Sequence, residues 1–412
     1  LAEDDDPPRA AEPRPFDQHS DPYTQAINAT RPLAIEGCIF YALWIRRRTA
    51  DTETTGAPGF DRLGLSHVGA FLTQAIDDPS VAVRAVYGRL FPFIAAELSE
   101  SWADRNRDAI FPTQGGESDR HFDAAFGTYL HFSGPRVPML ERLQDEYAYA
   151  LRRVCTVDKG DRDLDADEAP LPDDDPATRD DGGTGGTPAS TAGAGYGNDL
   201  AEHLLLFNIW GALDRGDRHQ LMDAYLARAP EDVRDHGLAY IGRLIRRDGG
   251  PDLPADVNRR LQALVQHELD RTLELGQEMS ARSAPLIQWL TSGVFDAIWA
   301  LKRLAKLLAR YDAFGAPMVY SEQSGIVTFL GGAPEENLQH VGWCVLAYVE
   351  AKRDGYLQRD WEDTLTSLLR RMYASDSPAI RKRGEQAIHR LGELGQFGFG
   401  ELLLRQPDAS AE

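Results

Sequence analysis

Residues 158–198 are the feature that most constrains how this chain can fold. The segment reads DKGDRDLDADEAPLPDDDPATRDDGGTGGTPASTAGAGYGN and holds acidic residues, Pro, Gly, Thr and Ala with almost no apolar side chains. Ordering its backbone would cost about 1 to 2 kcal/mol per residue, and it has too little apolar surface to offset that cost. We therefore expect a disordered acidic segment between two helical blocks, residues 21–157 and residues 199–405.

The net charge of the chain, −21, is concentrated in two segments. Residues 158–198 hold eleven acidic and three basic residues, and residues 1–21 hold seven acidic and two basic residues. The rest is only mildly acidic and has no long basic face, so nucleic acid is an unfavourable partner. Residues 1–20, rich in Asp, Glu and Pro, are predicted to be a disordered tail, and residues 406–412 a frayed end.

Cysteine usage and hydropathy indicate the compartment. Cys38, Cys155 and Cys344 are scattered and odd in number, which predicts neither a disulfide framework nor a zinc cluster. No signal peptide opens the chain, and no apolar run approaches the roughly 20 residues of a membrane helix. We expect a cytoplasmic protein.

The shortage of lysine is typical of a GC-rich genome or of a halophile. The start at Leu1 predicts that the sequence is a piece of a longer protein.

Apolar residues recur at helical spacing through both blocks, so we predict an all-α protein. Helices of 10 to 20 residues joined by short turns are typical of stacked antiparallel pairs in an α-solenoid. The first helix is predicted to run unbroken from Asp21, which can cap it, to Arg48. Residues 318–330 have some strand character, but their helical neighbours favour a helix.

Three helix starts are alike in sequence: PSVAVR at residues 79–84, PEDVR at 230–234 and PAIR at 378–381. They resemble the second helix of HEAT-type repeats, in which a Pro and an aliphatic-Arg pair recur. The aliphatic residue would pack in the core while Arg spans a groove to a carboxylate. The alternative is that Pro followed by an apolar residue starts helices in any helical protein. A regular period of about 40 residues is missing.

Motifs that would indicate an enzyme or a cofactor are absent from the sequence. There is no G-x-x-x-x-G-K-[ST] loop for a nucleotide, and no pair of histidines at helical metal-site spacing. We therefore expect no cofactor and no metal. His203, His236, His340 and His389 are interpreted as structural or surface residues, and Cys344 as a buried small hydrophobe.

Two groups of residues are candidate binding sites. Asn28 and Arg31 lie three apart on the predicted first helix and could present an amide and a guanidinium to a peptide. The alternative is that they bond the carbonyl ends of a neighbouring helix.

The second group is Trp102 with Arg105 and Arg107, where basic and aromatic side chains could stack on a ligand. The alternative is a solvated face in which these arginines pair with Asp104 and Asp108.

Segments across most of both blocks carry a family resemblance. They are DPY and AINATR within residues 21–31, VRAVYG at 83–88, W with RN and FP within 102–112, YL and DEY within 129–147, APEDVR at 229–234 and SGVFDAIWAL at 292–301. Together they resemble the C-terminal helical-repeat region of large bacterial and archaeal proteins with N-terminal ATPase or other effector domains, some linked to anti-phage defence. The long acidic insertion departs from that pattern.

The resemblance implies a non-catalytic scaffold or sensor arm that binds a protein or peptide, with an effector domain in the same longer chain. Two alternatives stay open: an enzyme whose site is built from dispersed His, Asp and Arg residues, and an oligomerisation domain. Because helical spacing is the same on both sides of residues 158–198, we expect that segment to be a loop within one continuous HEAT-like array.

Overall fold

The computed structural model describes residues 21–49, 56–116, 118–164, 195–245, 253–274, 279–314, 320–352 and 359–404. Within these ranges the chain forms α-helices, short 3₁₀ turns and one π-helical turn, with no β-strand. The all-α prediction is therefore confirmed. The predictions made for residues 1–20, for most of residues 158–198 and for residues 406–412 lie outside the described residues.

Helices α1 to α11 make up the first part of the chain. They are α1 (Pro22–Ala26), α2 (Thr30–Thr49), α3 (Ser66–Ala75), α4 (Val81–Phe93), α5 (Glu100–Ile110), α6 (Ser118–Phe132), α7 (Val137–Arg142), α8 (Gln144–Leu164), α9 (Gly197–Ile209), α10 (His219–Arg228) and α11 (Glu231–Ile245).

Helices α12 to α19 complete the chain. They are α12 (Ala255–Glu274), α13 (Met279–Leu290), α14 (Ala297–Phe314), α15 (Tyr320–Gly331), α16 (Leu338–Ala351), α17 (Arg359–Tyr373), α18 (Pro378–Glu393) and α19 (Glu401–Leu404). Helix α15 confirms that residues 320–330 are helical despite their β-branched and aromatic content.

The chain divides into two compact units, Leu1–Arg234 and Asp235–Glu412. The division falls within α11, not in the acidic segment. Helix α8 extends to Leu164, so helical backbone continues past residue 157, the boundary expected from the sequence. The single continuous array stays a prediction.

The first helix differs from the sequence prediction because it is broken. Asp21 caps α1 as expected, accepting a hydrogen bond from the backbone N–H of Thr24 at 2.9 Å. A turn at residues 27–29 then separates α1 from α2. The physical reason is Pro32, which has no N–H to donate to the carbonyl of Asn28 and is tolerated only in the first turn of a helix.

Helix α4 lies at the centre of the first unit and is buried along almost its whole length. It packs against α1, α2 and α6. The approach to α6 is close: a Cβ built on Gly88 would lie 1.8 Å from the carbonyl oxygen of Ala125. Glycine at this position therefore sets how near the two helices come.

In the second unit, helices pack against the second helix along the chain as well as the next one. Helix α14 contacts α16 and α16 contacts α18, while α13 contacts α15 and α15 contacts α17. Neighbours such as α17 and α18 also pack together. Contacts in this unit therefore link even-numbered helices to one another and odd-numbered helices to one another.

The three similar helix starts differ in their arginines. Arg84 is buried, and its Nη1 donates to the carbonyl of Ala109 in the last turn of α5 at 2.7 Å. Buried Arg234 donates in the same way to the carbonyl of Leu226 in α10, at 3.2 Å. The prediction of a carboxylate partner is therefore wrong for Arg84, since a helix-terminal carbonyl accepts instead. Arg381 is exposed.

Candidate functional site

The expectation that Asn28 and Arg31 share a helical face is wrong, because a turn separates α1 from α2. A role of these residues in binding stays a prediction. Asn28 lies in the turn before α2, and its Nδ2 donates to the carbonyl of Thr24 at 2.7 Å. Arg31 lies in the first turn of α2 and forms an ion pair of 3.2 Å with Asp78, in the loop before α4. The break caused by Pro32 separates the two residues, and each stabilises the local fold.

Trp102 is a core residue, only 3% exposed. Its indole Nε1 donates to the carbonyl of Gly69 at 3.1 Å and to Oγ1 of Thr73 at 2.8 Å, both in α3. Its ring also stacks on Tyr87, with 6.3 Å between the centroids. Trp102 therefore fixes α5 against α3 and is not available to stack on a ligand.

Arg105 and Arg107 have different surroundings. Arg105 is exposed, and its Nε donates to the carbonyl of Ser101 at 3.2 Å. Arg107 is half-buried and bonds Glu146 of α8 at 3.1 Å and Asp108 at 3.0 Å. The pairing with Asp108 agrees with the paired-face alternative. Glu146, which the sequence analysis did not pair with Arg107, is the second partner.

Glu146 is the buried carboxyl with the clearest shift in acidity. Its side chain is 3% exposed, its Oε1 contacts Arg107, and its Oε2 has no hydrogen-bond partner among the described residues. Burial raises the pKa of Glu146 to about 7, and the charge of Arg107 opposes that rise. Such a group changes charge near neutral pH, but it is buried and paired with Arg107, so no substrate contact is shown for it.

A chain of buried polar groups crosses α6, α8 and α9. The hydroxyls of Tyr129 and Tyr147 lie 3.1 Å apart, and the Tyr147 hydroxyl lies 2.7 Å from Nδ1 of His203. Burial lowers the pKa of His203 to about 4, so the ring is neutral at physiological pH. A Tyr-His pair can move a proton, yet all three side chains are enclosed in the core.

A second polar cluster fixes the point where the chain re-enters the described structure after the acidic segment. Arg153 of α8 binds both carboxylate oxygens of Asp123, at 2.9 and 2.6 Å. The hydroxyl of Tyr196 donates to the same carboxylate at 3.0 Å. Burial raises the pKa of Tyr196 above its ordinary value. The cluster ties α6, α8 and the start of α9 together, which is a structural role.

The outer face of α2 has the opposite character, because it is exposed and apolar. We call it the aromatic face, and its large side chains are Leu33 (45% exposed), Phe40 (46%), Tyr41 (49%) and Trp44 (53%). The side chains of Ile35, Ile39 and Leu43 on the other side of the helix are buried. Apolar groups on both sides are unusual for a surface helix, which normally turns a polar face to water.

The geometry of the aromatic face leaves room for a ligand. The rings of Tyr41 and Trp44 are stacked, with centroids 6.3 Å apart and an angle of 25° between the planes. One turn before Tyr41, Gly37 is exposed, and a Cβ built there would meet no atom within 4 Å. A partner's backbone or ring could approach the helix closely at Gly37.

The C-terminal end of the aromatic face is basic. The guanidinium of Arg48 lies 5.4 Å from the centre of the Trp44 ring, and no described residue forms an ion pair with Arg48. Arg47 is exposed and lies 3.6 Å from Glu97, a loose pair at the surface. The face therefore offers aromatic rings followed by cationic groups.

The second unit has a smaller aromatic surface. Trp343 of α16 is half exposed, and the guanidinium of Arg383 of α18 lies 3.8 Å from the centre of its ring. The Nη1 atom of Arg383 has no hydrogen-bond partner among the residues described. This pair covers one face of a single ring, whereas the aromatic face of α2 extends over several turns.

The described ranges lack two other features that would indicate a function. Among those residues, no group of three or more His, Cys, Asp and Glu side chains is placed to hold a metal ion. No described helix is both long and apolar enough to cross a membrane.

Comparisons with protein-family models, with curated proteins and with solved structures found no match to this chain. The aromatic face was not predicted from the sequence, although α2 carries a detectable signal. Its apolar residues fall at two sets of helical positions, residues 35, 39 and 43 and residues 33, 40, 41 and 44, too many for one buried side.

Proposed function

We propose that this protein is a non-catalytic helical scaffold that binds a protein or peptide partner on the aromatic face of α2. The observation that carries the proposal is the exposure of Phe40, Tyr41 and Trp44 on one side of a helix whose other side is buried. Aromatic residues in a rigid, contiguous patch are the side chains that contribute most to protein interfaces.

The packing of the second unit supports a scaffold built from stacked helical pairs. Contacts from α14 to α16 and from α16 to α18, beside those from α13 to α15 and from α15 to α17, are what a HEAT-like solenoid would have. Such arrays are rigid surfaces for partners. The Arg84 and Arg234 contacts to helix ends add to this support, because each repeats one way of holding a helix against its neighbour.

The charge on α2 favours an acidic partner over the α2 helix of a second copy of this chain. The only acidic residue in α2 is Glu36, and Arg89 of α4 already binds it at 2.7 Å. Two α2 helices packed antiparallel would therefore bring no acidic side chain of α2 to Arg47 and Arg48. The best partner is an acidic segment that also carries apolar side chains, so that it meets rings and guanidinium groups together.

The resemblance described above suggests the wider setting. We propose that the scaffold is a recognition or sensor arm in the cytoplasm of a prokaryote, joined to an effector domain in a longer chain and serving in anti-phage defence. The aromatic face would then recognise the partner, and the effector domain would supply any chemistry.

A peptide-selection experiment tests the binding function. A displayed random-peptide library is selected on the wild-type protein, and the recovered peptides are measured by calorimetry against Tyr41→Ala/Trp44→Ala. The matched control is Trp210→Ala, which removes a similarly exposed ring just after the end of α9 in the same unit. We expect acidic, apolar peptides that bind wild-type and control protein equally and lose at least about tenfold in affinity with the double variant.

Two results would contradict the proposal. The first is recovery of peptides that bind the double variant as well as the wild type. The second is sedimentation with phosphatidylcholine-phosphatidylserine vesicles that depends on Tyr41 and Trp44, which would make the aromatic face a lipid contact.

A further inference from the structure

The chain itself contains a segment with the chemistry expected of the partner. Residues 1–20 lie outside the described structure, and their sequence is LAEDDDPPRAAEPRPFDQHS. Four consecutive acidic residues at 3–6 are followed by prolines at 7, 8, 13 and 15 and by Phe16. Proline-rich segments bind surfaces of stacked aromatic rings, and carboxylates bind guanidinium groups.

The order of these groups matches the order along α2. The tail joins α1 at Asp21, and α1 has five residues before the short turn that leads to Thr30. The tail therefore meets the helical structure near the N-terminal end of α2. If the tail follows α2 from its N-terminal to its C-terminal end, Phe16 and the prolines next to it would lie near Leu33. The acidic run would then lie near Arg47 and Arg48.

The tail is long enough for this path. From Leu33 to Arg48, α2 rises about 22 Å at 1.5 Å per residue. Ten residues, the separation of Phe16 from Asp6, would span about 31 Å at the rise of a polyproline helix. Because the tail is tethered to the same helix pair, its effective concentration at the aromatic face would be in the millimolar range.

We propose that residues 3–16 bind the aromatic face of α2 within the same molecule and compete there with the partner. This regulation rests on the proposed function of the aromatic face. In this interaction the acidic run at residues 3–6 would bind Arg47 and Arg48. The prolines and Phe16 would pack on the aromatic rings and fill the open space at Gly37. Displacement of the tail by a stronger acidic partner would then expose the face.

Fluorine NMR of the full chain labelled with 5-fluorotryptophan tests the proposal. Trp44→Phe identifies the Trp44 resonance, and exposed Trp210 serves as an internal control. The test variant neutralises the acidic run with Glu3→Gln, Asp4→Asn, Asp5→Asn and Asp6→Asn. The matched control neutralises four acids of the internal segment, with Asp173→Asn, Asp174→Asn, Asp175→Asn and Asp180→Asn.

We expect the test variant, and not the control, to shift the Trp44 resonance and leave that of Trp210 in place. A synthetic peptide of residues 1–20 added to the test variant should reverse the shift. Acidic peptides from the selection should bind the test variant about tenfold more tightly than the wild type, because the tethered competitor is weakened.

Three outcomes would overturn the proposal. They are a Trp44 resonance that the test variant does not move, an equal shift with the control variant, and a shift that depends on protein concentration, which would place the tail on a second copy. Each leaves the peptide selection intact as a test of the aromatic face, so failure of the tail interaction is distinguishable from failure of the proposed function.

Discussion

Arg107 Nε lies 3.1 Å from Glu146 Oε1, and this ion pair joins the end of α5 to the first turn of α8. The two partners are unequally exposed, since Arg107 is half-buried and Glu146 almost wholly buried. Burial raises the pKa of Glu146 by more than the positive charge of Arg107 lowers it, and the resulting pKa is about 7. The pair thus contains a carboxyl that is partly neutral at physiological pH.

The first prediction is that Glu146→Gln makes the protein less sensitive to rising pH. Unfolded glutamate has a pKa of about 4.3, so the folded protein holds this proton more tightly than the unfolded chain. The resulting stability is fully present below about pH 4.3 and is lost as pH rises through about 7. Relative to the variant, the wild type should lose about 2 kcal/mol of unfolding free energy between about pH 5 and about pH 8.

Urea unfolding of both proteins at the two pH values measures this difference. Asp108→Asn is the control, because it removes the exposed partner of Arg107 and leaves Glu146 in place. It should keep most of the wild-type dependence on pH, since the charge of Asp108 is the smallest of the causes that shift the pKa of Glu146. A gap between wild type and Glu146→Gln that is the same at both pH values would show that burial does not govern this carboxyl.

The second prediction concerns two glycines in helices of the same unit. Gly88→Ala should destabilise the protein by about 3 kcal/mol or more, or prevent folding, because the new Cβ would overlap the backbone of Ala125. Gly37→Ala places its methyl in open space and should raise stability by up to about 1 kcal/mol, since alanine favours helix. Thermal unfolding of both variants compares them directly, and equal stability would contradict the close approach of α4 and α6.

The third prediction separates arginines at similar helix starts. Arg84→Ala removes a buried side chain and leaves the Ala109 carbonyl without its donor, so we expect a loss of about 2 to 4 kcal/mol. Arg381→Ala, at the corresponding exposed position, should change stability by less than about 0.5 kcal/mol. Urea unfolding measures the stability of both variants. A small loss of stability in Arg84→Ala would show that the contact from Arg84 to the end of α5 does not stabilise the fold.

Local signals in the sequence were sufficient for the fold class and for some helix ends. Helix α5 ends at Ile110, just before Pro112, and α18 begins at Pro378, as the prolines predict. The error at the first helix was also local, since Pro32 was read as part of the helix when it marks a second start. The prediction that Cys344 is buried is confirmed. Burial raises the pKa of the Cys344 thiol to about 12.

The candidate site was not predictable in the same way, because it depends on which side of α2 the other helices pack against. The apolar residues of α2 could equally have been buried on both sides. Trp102 and Trp44 both lie near arginines in sequence, yet Thr73 of α3 accepts a hydrogen bond from Trp102. Trp44, by contrast, is 53% exposed, beside Tyr41 and Arg48 of its own helix. Only the packing of distant segments distinguishes the two.

The last prediction uses that contrast between two tryptophans. Trp102→Ala should cost about 3 to 5 kcal/mol, because it empties a packed site and removes the donor to Gly69 and Thr73. Trp44→Ala should change the free energy of unfolding by less than about 0.5 kcal/mol, because about half of that side chain is already exposed. The same variant should weaken binding of acidic, apolar peptides at least tenfold by calorimetry. A large loss of stability in Trp44→Ala, or unchanged peptide affinity, would make Trp44 a structural residue and remove the main anchor of the proposed interface.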